Sequence, residues 1–245
     1  PRNHPGSAGG TARSRTEAGG MIGSEQEAKA FVAALPEADP VAMERFERLI
    51  TLLVEENQQQ NLVSAASLDS VWQRHIADSA QLLTHVPRET WSTRPSEQEA
   101  SVWLDLGTGA GFPGLAVACL LPEVPVVMVE SRARRVEWLN HAAEVLGLHQ
   151  AKVIGQRLEL VPDFPAAVIS ARAFAPLEKL LRISARFSTR ATQWLLPKGR
   201  SARQELQELR GWNHMFHVEQ SLTDADAGII VGTLTGAVAK KGRQS

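Results

Sequence analysis

The spacing of apolar positions gives the chain two textures. Between about residues 24 and 86 apolar side chains recur every three or four residues, the mark of amphipathic helices. Ser24 followed by Glu27 forms a capping box that predicts a short helix through about Leu35. Asp39-Pro40 supplies an N-cap and a proline at the first helical position. Met43, Phe46, Leu49, Ile50, Leu53 and Val54 then predict a strongly amphipathic second helix. After a polar break at Asn57–Asn61, a third helix is predicted from about Leu68 to His85. Residues 87–100 are polar, contain two prolines and read as a linker.

From Ser101 the texture changes. Apolar runs at 101–106, 125–130, 151–155, 166–171 and 191–196 predict strands. They alternate with helical stretches near 113–121, 132–147, 176–187 and 201–210, as parallel βαβ units do. The predicted fold is α/β, a doubly wound, Rossmann-like sheet. Residues 213–219 and 228–234, joined by Asp224-Ala225-Asp226-Ala227-Gly228, read as a terminal antiparallel hairpin. The expected organisation is a disordered tail at 1–23, a helical annex at 24–86, the linker, a sheet domain at 101–235 and a frayed tail at 236–245. Within the first tail, the Gly-, Ser-, Thr- and Arg-rich segment Pro1–Gly20 lacks periodicity, and Met21 is a candidate start.

Composition narrows the class. A chain of 245 residues that is 43% apolar can bury one good core and a small annex. A net charge of −1 means that any nucleic-acid footprint must be a local patch. The single cysteine, Cys119, excludes an intramolecular disulfide and suits a reducing cytoplasm. No apolar run approaches the roughly eighteen residues of a membrane span. Arg13 and Arg15 stand beside no apolar core, so no signal peptide is read there. The expected location is cytoplasmic, with no membrane partner.

The chemistry concentrates in Trp103-Leu104-Asp105-Leu106-Gly107-Thr108-Gly109-Ala110-Gly111-Phe112-Pro113-Gly114. It reads as a buried strand, a glycine loop and the start of a helix, the usual seat of a nucleotide-like ligand. Gly109-x-Gly111-x-x-Gly114 also fits the dinucleotide pattern, so the glycines alone do not choose a cofactor. Asp105 does: a carboxylate here would repel a pyrophosphate but suit the ammonium of S-adenosylmethionine (SAM). Glu130, closing the second strand about twenty residues on, can take both ribose hydroxyls of an adenosine. A parallel sheet ending in an antiparallel hairpin is also how SAM-dependent methyltransferases usually finish.

Four ordered segments carry a closer likeness. The Asp105–Gly114 loop with its Phe-Pro resembles that of the glucose-inhibited-division-B (GidB, or RsmG) family, bacterial small-subunit rRNA guanine-N7 methyltransferases. Asn61-Leu62-Val63-Ser64 with Trp72-Gln73-Arg74-His75-Ile76-Ala77-Asp78-Ser79 is similar to its N-terminal signature. Ser170-Ala171-Arg172-Ala173-Phe174-Ala175-Pro176-Leu177 is similar to its central one, and Leu196-Pro197-Lys198-Gly199 to its lysine-glycine after the fifth strand. The chain departs from the family at Glu56-Asn57-Gln58, often an aromatic residue and a lysine, and at Ala166-Ala167, often acidic. The resemblance implies SAM contacts at Gly107, Phe112, Leu158, Glu159 and Arg172, beside Asp105, Gly109, Gly111 and Glu130 from the loop reading. It also implies the reaction: methylation of N7 of the guanosine at position 527, in the 530 loop of 16S rRNA. The implied partner is the 30S subunit or an assembly intermediate of it.

Guanine N7 carries an in-plane lone pair, so the reaction asks for positioning and electrostatics rather than a general base. Arg172 and Lys198 are the candidate catalytic donors to guanine O6 or an adjacent phosphate. Arg74, His75, Arg134, Arg135, Lys198 and Arg200 are candidate RNA contacts; solvated helix faces and a capping network are the competing readings for several of them. Cys119, in an apolar run, is read as buried and not as a nucleophile. His214-x-x-His217 lacks partner ligands, so no metal is expected. Two alternatives stand beside this reading. One is a methyltransferase of the same fold acting on another RNA, a protein or a small molecule. The other is an NAD(P)-binding oxidoreductase or a non-catalytic nucleotide-binding module.

Overall fold

The computed structural model describes residues 20–92 and 101–238. Its frame is one eight-stranded sheet in the order β3-β2-β1-β4-β5-β8-β6, with β7 also paired to β8. Strands β1 (Trp103–Leu106), β2 (Val126–Val129), β3 (Ala151–Ile154), β4 (Ala166–Ser170) and β5 (Ser188–Gly199) run parallel. β8 (Gly228–Ala237) lies antiparallel to β5 on one side and to β6 (Trp212–His214) and β7 (His217–Gln220) on the other. The strand order reverses between β1 and β4, which leaves a crevice at their carboxyl ends.

The annex begins with α1 (Glu25–Ala33) and α2 (Pro40–Asn57). Their caps are the predicted ones: Ser24 accepts from the Glu27 amide and Asp39 from the Ala42 amide. Phe46, Leu49, Leu52 and Leu53 form the buried stripe of α2, whereas Val54, expected in it, is 42% exposed. The annex shares one core with the sheet. Its apolar stripe packs on α6 (Gly114–Leu120), every residue of which is buried between annex and strands. A helix apolar all round is stable only when covered on every face, and the annex provides that cover. This also places Cys119 out of water, and burial pushes its thiol up to about 12. The opposite face of the sheet is covered by α8 (Leu177–Ser184) and α9 (Ala202–Glu208), while α7 (Ala133–Val145) joins the annex side.

Several expectations are corrected. The third helix is not continuous. It comprises α3 (Ala65–Leu68), a wide π-helical turn (Trp72–Ala77), α4 (Asp78–Ala80) and a tight 3-10 stretch (Gln81–His85). Glu25 distorts its start by accepting from the amides of both Trp72 and Gln73. Helix α5 (Glu89–Ser92) interrupts the expected linker, and Trp91 packs against Trp103 with ring centroids 6.2 Å apart. The rest of that linker, 93–100, lies outside the described residues, as do 1–19 and 239–245. Residues 20–23 do not behave as a tail: Ile22 is buried, and its amide donates to the Leu222 carbonyl. The expected strand 213–219 breaks at Met215 and Phe216, where the Phe216 amide turns back to His214 Nδ1. β8 runs two residues past the expected domain limit, its partner β6 extending that pairing.

Because annex and sheet share a core, they should unfold together. Phe46 is fully buried and meets Trp72 edge-to-face at 5.7 Å. Phe46→Ala should cost about 3–5 kcal/mol, with coincident urea transitions by circular dichroism and tryptophan fluorescence. Separate transitions would refute the single core.

Candidate functional site

Two cavities open at the crevice, of about 380 and 650 Å³, and Ala173, Phe174 and Ala175 line both. The glycine loop and the end of β2 build the smaller one. Glu130 is 7% exposed there, its Oε1 accepting from the amides of Ser131 and Arg132 and its Oε2 from Gly109 at 3.2 Å. Arg135 Nη1 stands 4.0 Å from the same carboxylate. Gly107, Leu158 and Glu159 line this cavity, as the sequence reading expects of cofactor residues. Gly107 has φ +62°, and a Cβ there would fall 2.1 Å from Phe174 Cδ2, so only glycine is accommodated.

Other loop residues turn inward. Asp105 is fully buried and lines neither cavity, so it does not present its carboxylate to a cofactor ammonium as the sequence suggested. Its Oδ2 accepts from the Gly114 amide at 3.0 Å and its Oδ1 from Ser170 Oγ at 2.8 Å. Burial raises its pKa to about 6. Gly114 has no room for a side chain: a Cβ would meet Met128 at 2.6 Å and Asp105 at 2.9 Å. Phe112 is likewise covered, by the His75 ring stacked at 5.0 Å, and Gly109 and Gly111 shape the loop without lining either cavity.

The larger cavity draws on three parts of the chain that are distant in sequence. The π-helical turn and α4 contribute Arg74, His75 and Asp78, the β4 loop Arg172, and the C-terminal part Lys198 at the end of β5 and Asp224 in the turn before β8. Such wide turns often mark functional positions in helices. Arg172 Nη1 donates to Asp78 Oδ2 at 3.2 Å and to the Arg74 carbonyl at 3.1 Å, and Nη2 reaches His75 Nδ1 at 3.2 Å. Burial first, then the charges of Arg172 and Arg74, lower the His75 pKa to about 3.

Lys198 is not an ordinary surface lysine. Its side chain is 8% exposed, with Nζ 3.0 Å from Glu205 Oε2 and bonded to the Ala175 carbonyl. Burial opposes ionisation of Glu205, but bonds from Ser201, Lys198 and the Leu177 amide outweigh it and lower its pKa. Arg74 and Arg200 are exposed, paired with Asp224 at 3.5 Å and Asp226 at 3.0 Å. Arg134 is exposed and lines neither cavity. Sequence reasoning gave no role to Phe174, Glu205 or Asp224; only Phe174 lay inside a motif that could have drawn notice.

The family model for GidB, rRNA small subunit methyltransferase G, matches residues 42–226. The chain belongs to the GidB family. Its similarity to curated relatives is extensive. "Ribosomal RNA small subunit methyltransferase G" of Erythrobacter litoralis is 59% identical over 86% of this chain and 97% of the relative. The protein of the same name from Novosphingobium aromaticivorans is 54% identical over 86% and 89%. Among solved structures, the cofactor-bound Rv0187 from MTB has a TM-score of 0.55 at 15% identity, covering 87% of this chain and 99% of that one. A putative O-methyltransferase from Klebsiella pneumoniae scores 0.52 at 14% identity, over 84% and 94%. At these identities the two structures show the fold alone. Among the described residues, no helix is long and apolar enough to cross a membrane.

The depressed His75 pKa carries a stability signature. The unfolded chain binds the proton below about 6.5 and the folded one only near 3. The stabilisation is therefore present above 6.5 and is lost as pH falls toward 3. His85 and His214, also lowered chiefly by burial, add to the same slope. His75→Phe should flatten the dependence of unfolding free energy on pH between about 6.5 and 3, read from urea titrations; an unchanged slope would refute it.

Proposed function

We propose that the protein transfers the methyl group of SAM to N7 of a guanosine in small-subunit rRNA, position 527 in the 530 loop of 16S rRNA. One observation carries the reading: in a chain of the GidB family, two cavities meet at a single loop, and each suits one half of the reaction. The substrate form is the 30S subunit or an assembly intermediate of it, met in the cytoplasm.

The smaller cavity fits an adenosyl group. Glu130 is a buried acceptor whose three backbone bonds leave a lone pair on Oε2 for a ribose hydroxyl. Leu158 and Glu159 line the cavity and would flank the adenine, while the Cβ-free face of Gly107 receives the Phe174 ring, which closes one wall. When bound, SAM supplies an electrophilic methyl group. Asp105 acts indirectly, fixing the glycine loop through the Gly114 amide.

The larger cavity receives the target base, which a loop releases more readily than a duplex does. Guanine N7 would attack the methyl carbon with its own lone pair as the sulfur–methyl bond breaks and neutral S-adenosylhomocysteine leaves, so the chain has no proton to remove. Arg172 and Lys198 stand as cationic donors at the junction; Lys198 keeps one ammonium proton beyond those held by Glu205 and Ala175. A donor to guanine O6 orients N7 for in-line attack. Outside, Arg74 and Arg200 exchange weak surface pairs for RNA phosphates, and exposed Arg134 adds to the positive charge; His75, buried and neutral, and Arg135, held beside Glu130, do not join that rim as the sequence suggested.

Labelled SAM incubated with undermethylated 30S subunits should yield 7-methylguanosine in the 530 loop, mapped by mass spectrometry. SAM binding without incorporation would overturn the substrate. Glu130→Ala should weaken SAM binding at least about tenfold, as loss of paired hydrogen bonds to a buried charge predicts. Lys198→Ala should instead lower methyl transfer with SAM affinity held within about twofold; calorimetry separates the two, since twofold is well under 1 kcal/mol.

A further inference from the structure

Asp78 lines the larger cavity beside Arg74 and His75. It stands at the start of α4, directly after the π-helical turn, and its two carboxylate oxygens do different work. Oδ1 accepts from Gln81 Nε2 at 3.0 Å and Thr223 Oγ1 at 2.9 Å, tying the annex to the hairpin turn. Oδ2 faces Arg172 Nη1 at 3.2 Å, and both side chains are about four-fifths removed from solvent.

Arg172 is held from other directions as well. The Arg74 carbonyl takes Nη1, and the Phe112 ring lies 5.6 Å from the guanidinium carbon. A guanidinium has no acceptor, so the 3.2 Å contact with His75 requires a lone pair on Nδ1 and the proton on Nε2. Neutral imidazole is the form that burial favours here. The loop that carries Arg172 is not self-supporting. Ala173 beside it has φ +51°, a left-handed conformation that a non-glycine residue keeps only when its surroundings impose it.

We propose that Asp78 is a positioning residue for Arg172. With the Arg74 carbonyl and neutral His75, it fixes the guanidinium in one orientation in the larger cavity, next to the stretch 173–175 that lines both cavities. The annex thereby sets the geometry of a cofactor site that otherwise belongs to the sheet. The inference rests on the reading of Arg172 as a cofactor-site residue.

Asp78→Asn separates the two roles of the carboxylate. The amide oxygen can still accept from Gln81 and Thr223, while the charge opposite Arg172 is lost. SAM dissociation constants are measured for wild type, Asp78→Asn, Arg172→Ala and the double variant. Asp78→Asn should weaken binding about tenfold in the wild-type background and less than about twofold beside Arg172→Ala, the non-additivity that coupled residues show. Equal losses in both backgrounds, or wild-type affinity in Asp78→Asn, would overturn the proposal. A direct reading needs no ligand: in protein labelled with 15N-arginine, the Arg172 guanidinium, assigned by its loss in Arg172→Ala, should show slow rotation that Asp78→Asn abolishes. Fast rotation already in wild type, or slow rotation retained in the variant, would also overturn it. Wild-type SAM affinity in Arg172→Ala would instead defeat the cofactor-site reading while the NMR result still judges the positioning.

Discussion

A carboxylate without solvent contact joins three elements at the point where the strand order reverses. Asp105 sits in β1, accepts from Ser170 at the end of β4, and accepts from the Gly114 amide at the head of α6. Ser170 is in turn held by Trp103 Nε1 at 2.9 Å, so the network crosses from β1 to β4 and back. Burying that carboxylate is unfavourable, as its raised pKa shows, and the bonds from strand, loop and helix offset part of the cost. The result is a glycine loop with little freedom and a fixed mouth between β1 and β4. Both cavities open at that mouth.

The two cavities differ in what builds them. The smaller belongs to the sheet and its helices: the loop after β1, the end of β2, the turn after β3, the β4 loop and α8 enclose it, with Glu130 anchored by three backbone amides. The larger is assembled from the annex, the β4 loop and the hairpin turn. Phe174 stands between them, its ring against the bare Cα of Gly107. The annex therefore does two things with one set of residues. Its apolar stripe completes the cover of α6, and its polar end walls the larger cavity.

Much of this was legible in one dimension. The β–α alternation, the capping box at Ser24, the proline-started α2 and the glycine loop depend on neighbours a few residues apart. Glu130 could be found because it is a fixed distance along the chain from the loop. The failures share a cause. Leu68 to His85 is apolar at helical spacing, yet its start is pulled into a π turn by Glu25, whose carboxylate takes the amides of Trp72 and Gln73 from far upstream. Val54 fits the stripe of α2 but lies at its edge, where no partner element covers it. The strand expected at 213–219 breaks because the Phe216 amide finds a side-chain acceptor in His214.

By itself the sequence determined the fold class, the location of the glycine loop and the family, because periodicity, turn chemistry and ordered motifs are short-range properties. It named Asp105, Lys198 and Arg172 but not what each faces. Only the tertiary structure decided that Asp105 points into the protein, that Lys198 is buried against Glu205, and that Arg172 is gripped by Asp78 and His75. Asp78 and His75 lie 94 and 97 residues from Arg172 along the chain. A side chain's neighbours across such a distance are set by how helices and strands pack in three dimensions, and periodicity records only which face is buried.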